Sequence, residues 1–149
     1  MSKLSVVLPA YNEELMVGKT CRVLAEVLTE AKIPYELVVV NDGSGDRTWE
    51  EIQKAGERDA NVTGVLFSRN FGKEAAIFAG LAQAGGDVVA VMDCDLQHPP
   101  ECLPEIVRKF EEGCGVISMV RTKNKSAGLI KNITSAGFYW VINTLSDVK

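Results

Sequence analysis

An α/β fold built on a mostly parallel sheet, with helices on both faces, is predicted by three observations. Short Val/Leu/Ile runs recur along the chain, and each is followed by a stretch whose apolar residues keep helical spacing. The runs read as continuously apolar rather than alternating, which is the pattern of strands buried on both faces. At 149 residues with 46% hydrophobic and 24% charged composition, the chain has the length and core of one globular domain, taken as residues 1–149.

The first strand is expected at Leu4–Leu8, where Pro9 removes a backbone donor and stops it; Asn12 and Glu13 then offer caps for a helix. That helix carries Val17, Cys21, Leu24, Leu28 and Ala31 on one face. A second strand, Tyr35–Val40, leads through Asn41-Asp42-Gly43-Ser44-Gly45-Asp46 into a helix from about Thr48 to Arg58, with Thr48 and Glu51 placed as a capping box. Val62–Phe67 is the third strand, followed by a helix from about Glu74 to Ala84, which Gly85-Gly86 ends. The fourth strand is Val88–Met92; a helix follows with Leu103, Ile106, Val107 and Phe110 inward, and a fifth strand is expected at Gly115–Met119.

Chemistry concentrates where these strands end. Asp93-Cys94-Asp95 follows the fourth strand, and two carboxylates one residue apart at the carboxyl end of a parallel strand suit a divalent cation carrying phosphates. A solvated turn before a helix is the plainer alternative. Tyr11 offers a ring for stacking, and Asp42 sits in a sequence that is also an ordinary turn. Ser68-Arg69-Asn70-Phe71-Gly72-Lys73 brings a glycine and two cations to the start of a helix, where backbone and charge can approach phosphates. His98, the only histidine, lies beside the acids as a candidate base or a simple helix-leading residue. Walker A spacing is absent, and no Gly-x-Gly-x-x-Gly follows the first strand, which argues against a dinucleotide-dependent oxidoreductase.

The net charge of −4 conceals an asymmetry. Residues 1–114 carry 11 Lys and Arg against 19 Asp and Glu, whereas residues 115–149 carry 5 against 1. The basic stretch Arg121, Lys123, Lys125 and Lys131 leads into an apolar, aromatic run from Ala136 to Ile142, a pattern that meets an anionic membrane surface or substrate, or feeds a core helix. The four cysteines lack Cys-x-x-Cys spacing and read as reduced thiols in a cytoplasmic setting. The amino-terminal apolar run is too short for a signal peptide, and none approaches the roughly 20 residues of a membrane span. A soluble chain with no nucleic-acid partner is expected.

Four segments in order carry a resemblance: Val6-Val7-Leu8-Pro9-Ala10-Tyr11-Asn12-Glu13-Glu14, Val39-Val40-Asn41-Asp42-Gly43-Ser44, Ser68-Arg69-Asn70-Phe71-Gly72-Lys73-Glu74, and Asp93-Cys94-Asp95-Leu96-Gln97-His98-Pro99-Pro100-Glu101. Together they resemble glycosyltransferase family two, in the branch that transfers sugar to polyprenyl phosphate, such as the bactoprenol glucosyltransferases and dolichol-phosphate mannose synthases. The resemblance spans essentially the whole chain. It implies a GT-A (Rossmann-like) fold and a metal-dependent, inverting transfer of a hexose from a UDP- or GDP-sugar to a polyprenyl phosphate. By the same resemblance Pro9, Tyr11, Asn12, Glu13, Asp42, Lys73 and Arg121 bind substrate, with the Asp42 carboxylate accepting from a base N–H. Asp93 and Asp95 are catalytic and, with Gln97, hold Mg²⁺ or Mn²⁺ against the diphosphate.

Cys94 departs from the small residue usual within the acidic motif, and its side chain is expected to point away from the ligand. The other departure is length. Family members continue with acceptor-side elements and often transmembrane helices, so a truncated chain that binds donor without transferring sugar is expected. Residues 126–146 would then form a membrane-proximal amphipathic helix, placing the full-length protein at the cytoplasmic membrane face, and exposed apolar surface around Trp140 predicts a homo-oligomer. The alternative from another class is a nucleotide-sugar-binding module without transfer activity. A haloacid-dehalogenase-type phosphatase also uses Asp-x-Asp, but after its first strand rather than its fourth.

Overall fold

The computed structural model of the chain describes residues 1–119. Four strands form one sheet in the order β3-β2-β1-β4: β1 (Leu4–Ala10), β2 (Tyr35–Asn41), β3 (Val62–Leu66) and β4 (Val88–Val91). Every neighbouring pair is parallel, with Leu4 opposite Tyr35 and Val88 and with Leu37 opposite Val62. The helices α1 (Val17–Glu30), α2 (Thr48–Arg58), α3 (Lys73–Gln83) and α4 (Leu103–Glu111) connect or follow these strands, α4 being led in by a 3₁₀ turn at Pro100–Cys102. Residues Met1–Ile117 pack as one compact unit.

The pleat of β1 and β2 sorts the core into two layers. Leu4, Val6, Leu8, Leu37 and Val39 point to one face, where they meet Val17, Leu24 and Leu28 of α1, Ile52 of α2, and Leu103 and Val107 of α4. Val7, Val38 and Val40 point to the other, which Ala76 of α3 covers. Contact with α3 is close because Gly80 has no side chain: a Cβ there would lie 2.3 Å from Val7 Cγ1. Helices thus cover both faces, as expected.

Three expectations need correction. Burial on both faces holds for the central strands but not the outer ones: β3 exposes Thr63, Gly64 and Leu66, and β4 leaves Val89 and Val91 partly in solvent. An outer strand has one neighbour; Thr63, Val89 and Val91 lie on the face that α3 covers without reaching the outer strands, while Gly64 and Leu66 lie on the opposite face, toward α2. Gly115–Met119 forms no strand; Val116 is 93% exposed, while Ile117 packs against the core. Among the described residues no further strand pairs with this segment, so its β propensity has no ladder to join. Pro9, finally, does not stop β1, which continues to Ala10 opposite Asn41. The proposed helix at 126–146 lies outside the described residues, and among the described ones no helix is long and apolar enough to cross a membrane.

The end of the sheet remote from the strand-end loops is locked by one carboxylate. Burial alone pushes the Glu36 carboxyl up, but hydrogen bonds from Lys3 Nζ, Ser5 Oγ and the Gly85 N–H outweigh it and hold the group at about 2. The folded value lies below the ordinary 4.5, so this stabilisation is fully present above about pH 4.5 and is lost as pH falls toward 2. Half-open to solvent, the cluster is expected to contribute about 1–2 kcal/mol. Urea midpoints measured between pH 5 and pH 2.5 should fall more steeply for the native protein than for Glu36→Gln.

Candidate functional site

The strand order reverses between β1 and β4: the chain adds strands on one side of β1 up to β3 and then crosses to the other. Loops leaving two such strands diverge to opposite faces and open a crevice at their carboxyl ends. A cleft of about 410 Å³ lies there, walled by the β1–α1 loop, the start of α3 and the segment after β4. Asp93 and Asp95 line it, facing Pro9, Tyr11 and Glu13 from the end of β1, with Asp42 and Lys73 completing the wall.

The β1–α1 and β2–α2 loops are joined into one structure by side chains that bond to each other's backbone. The Asn12 N–H donates to Ser44 Oγ at 2.9 Å, the Gly45 N–H to Asn12 Oδ1 at 2.9 Å, and the Glu13 N–H to Thr48 Oγ1 at 2.8 Å. The Glu14 N–H reaches Asp46 Oδ2 at 3.2 Å, and the Arg47 N–H reaches Glu14 Oε2 at 3.1 Å. Asn12 adopts a φ of 54°, a left-handed value that asparagine tolerates better than most residues. Its side chain therefore fastens the neighbouring loop. It neither caps α1, whose N-cap Met16 makes no side-chain cap, nor lines the cleft. The capping box at Thr48 and Glu51 is likewise absent. Thr48 is the first residue of α2, and its N–H is taken by Asp46 Oδ1 at 3.0 Å.

Asp42 is 97% buried and bonded through both oxygens to the third loop, its Oδ1 accepting from the Phe71 N–H at 2.7 Å and its Oδ2 from the Gly72 N–H at 3.1 Å. Two donors that could have met phosphate are thereby spent on this carboxylate. The adjacent Gly43, at φ 64°, packs so closely on the same loop that a Cβ would lie 2.2 Å from the Arg69 carbonyl carbon. Arg69 stacks its guanidinium 4.7 Å above the Phe71 ring. Lys73, opening α3, instead crosses the cleft and pairs with Asp93, Nζ to Oδ1 at 2.6 Å.

Of the other residues singled out in the sequence, Gln97 is exposed and outside the cleft lining, though its N–H donates to Asp95 Oδ1 at 2.9 Å. His98 is exposed as well. Arg121 lies outside the described residues. Cys94 turns its side chain into the core, as expected, and burial pushes its thiol far up. Asn70 and Gly72 line the cleft without having been proposed as site residues; their place within the Arg-Asn-Phe-Gly-Lys segment was the available signal.

The profile of glycosyl transferase family 2 matches residues 5–145. The chain belongs to glycosyl transferase family 2. Among relatives of this family, an uncharacterized glycosyltransferase of Bacillus subtilis, YkcC, is 43% identical over 97% of this chain and 45% of its own length. An undecaprenyl-phosphate 4-deoxy-4-formamido-L-arabinose transferase of Pseudomonas aeruginosa is 40% identical over 83% of this chain and 37% of its own. A bactoprenol glucosyl transferase of Shigella phage SfV is 36% identical over 99% and 48%. The chain thus spans about half the length of the curated relatives it matches, or less. The mannosyltransferase PcManGT of Pyrobaculum calidifontis, solved with GDP-Man and Mn²⁺, superposes with a TM-score of 0.58 at 26% identity, over 72% of this chain and 32% of that one. The parallel sheet and its helices are the GT-A fold of the family 2 transferases.

In this family 2 chain the cleft is electrostatically acidic around the pair. Burial first, and then the charges of Asp95, Asp46 and Asp93, raise the pKa of Glu13 above the ordinary carboxylate value. Among the described residues no three His, Cys, Asp or Glu side chains group closely enough to hold a metal by themselves. Two hard oxygen ligands with an open side do fit Mg²⁺ or Mn²⁺ when a diphosphate supplies further oxygens. The Lys73 ammonium against Asp93 marks the position as one that draws a cation.

Proposed function

We propose that this protein moves a hexose, with inversion, from a UDP- or GDP-sugar to a polyprenyl phosphate. The observation that carries this reading is the meeting of Asp93 and Asp95 with Tyr11, Glu13 and Asp42 in one cleft at the strand-order reversal. The names of the Pseudomonas and Shigella phage relatives support the acceptor class, and the GDP-Man and Mn²⁺ bound by the Pyrobaculum enzyme support donor and metal.

In this mechanism Tyr11 stacks on the nucleoside, Pro9 and Glu13 line its pocket, Asn12 acts on it by fastening the loop that carries them, and Asp42 accepts from the base on a lone pair left free by the third loop. Asp93 and Asp95, with Gln97 turned in from its exposed position, would hold a divalent cation, which when bound would supply Lewis-acid neutralisation of the diphosphate leaving group. Lys73, at the start of α3, faces the phosphates, and Arg121 binds the donor or acceptor phosphate. A polyprenyl phosphate is largely ionised at neutral pH, its second pKa being about 6, so attack on the anomeric carbon needs no strong base. An exposed His98 outside the cleft is in keeping with that. We place residues 1–149 in one donor-binding domain, with residues 126–146 as a membrane-proximal helix at the cytoplasmic face and self-association through it.

Calorimetric titration of UDP, GDP, UDP-glucose and GDP-mannose, with and without Mn²⁺, tests the reading. One nucleotide class is expected to bind only with metal, and Asp95→Ala is expected to weaken that binding at least about 100-fold. Equal binding of every nucleotide by the Asp95→Ala variant would overturn it.

A further inference from the structure

Thr20 belongs to α1, is not itself among the residues lining the cleft, and is wholly buried. Its N–H makes the ordinary helical bond to the Met16 carbonyl at 2.8 Å, but its hydroxyl does something else. A helical threonine commonly turns its hydroxyl back on a carbonyl three or four residues earlier. Thr20 Oγ1 instead donates to the Cys94 carbonyl, 74 residues away, at 2.6 Å.

That carbonyl belongs to the peptide unit joining Cys94 to Asp95. Holding its oxygen fixes the plane from which the Asp95 side chain departs. On the amino-terminal side the segment is held by the Met92 N–H, which donates to the Val7 carbonyl at 3.0 Å. On the carboxyl-terminal side the Gln97 N–H donates to Asp95 Oδ1. Between these bonds the chain has left the sheet ladder, with Cys94 seated in the core and an acid on either side of it. The Thr20 bond ties the backbone of this acid-bearing stretch directly to a helix, whereas the Lys73–Asp93 ion pair reaches α3 only through the tip of one side chain.

We propose that Thr20 is a positioning residue: through the Cys94 carbonyl it sets the separation and aim of the Asp93 and Asp95 carboxylates, and thereby the affinity of the pair for a divalent cation. This rests on the reading of the pair as a cation site. Groups that orient metal ligands from behind are typically worth about 10–100-fold in metal affinity.

The test uses the 149-residue protein with Mn²⁺ as the probe, in the presence of UDP or GDP to supply the diphosphate oxygens, free ion being followed by its electron paramagnetic resonance signal. Thr20→Val keeps the shape and removes the donor, and is expected to weaken Mn²⁺ binding at least about tenfold. Thr20→Ser keeps the donor and is expected to bind within about threefold of the native protein, although it loses the buried methyl that valine retains and that a purely structural role would notice. A Thr20→Val protein with a lowered melting temperature and native Mn²⁺ affinity would overturn the proposal, as would equal weakening by Ser and Val. Should the valine variant fail to fold, Thr20→Cys, a weak donor of similar size, is expected to fall between them, and native affinity there would overturn it equally. Asp95→Ala separates the two readings. If it leaves Mn²⁺ binding intact, the cation site and this proposal both fail; if it abolishes binding while Thr20→Val does not, only this proposal fails.

Discussion

Replacing Asp42 with alanine is expected to destabilise the protein by about 2–4 kcal/mol and to abolish nucleotide binding, because it frees a whole loop. The buried carboxylate is the partner of two consecutive backbone donors, Phe71 and Gly72. Hydrogen bonds to an ionised acceptor are stronger than neutral ones, and a buried N–H left without a partner costs about 1–3 kcal/mol. Asp42→Asn retains one acceptor oxygen and should lose roughly half as much. Urea unfolding of the three proteins gives the stabilities, and calorimetry with the nucleotide that the native protein binds gives the site. If Asp42→Ala unfolds at the native midpoint, the loop is held by something other than this carboxylate.

The second large effect is expected at Gly80, where a valine should cost about 3 kcal/mol by forcing α3 away from the sheet. Its Cβ would begin 2.3 Å from Val7 Cγ1 and 3.3 Å from Val40 Cγ2, inside a core with no room to yield. Since α3 opens with Lys73, the displacement also draws the ammonium away from Asp93. Shortening the opposing side chain supplies the check. In a Val7→Ala background the cost of Gly80→Val should shrink by more than 1 kcal/mol, a coupling that a double-mutant cycle reads directly. Additive losses would mean that the two residues do not share the contact.

The order of the elements was legible because local signals agreed with one another. Apolar runs marked β1 to β4, the spacing from Val17 to Leu28 marked the buried face of α1, and the acids appeared where β4 ended. Position in the chain also told that Asp93 and Asp95 follow a strand, and a strand end in a parallel sheet is where a cleft opens. What remained hidden depends on pairings between distant residues. Nothing near Asp42 discloses that its oxygens serve Phe71 and Gly72, since Asn-Asp-Gly reads equally well as a turn. Thr20 looks like any residue on the inner face of a helix until Cys94 is brought against it. Capping was misread at Asn12 and Thr48 because local motif rules assume a local partner, whereas the two loops bind each other. Gly115–Met119 reads as a strand by composition, yet a strand requires a neighbour.

Along β1 the backbone groups alternate between the two adjoining strands. Ala10 turns its carbonyl to the Asp42 N–H on the β2 side, Val7 turns its own to Met92 on the β4 side, and position 9 therefore faces β4. The next rung between these strands would run from the nitrogen of residue 9 to the Met92 carbonyl. Proline has no hydrogen to give it. The two strands must consequently part company at this point while β1 stays fastened to β2, like a zipper whose missing tooth lies on one side only. The mouth of the cleft is held open by a covalent ring in the chain, with or without an occupant, so a ligand meets a gap already formed and spends none of its affinity prising the sheet apart.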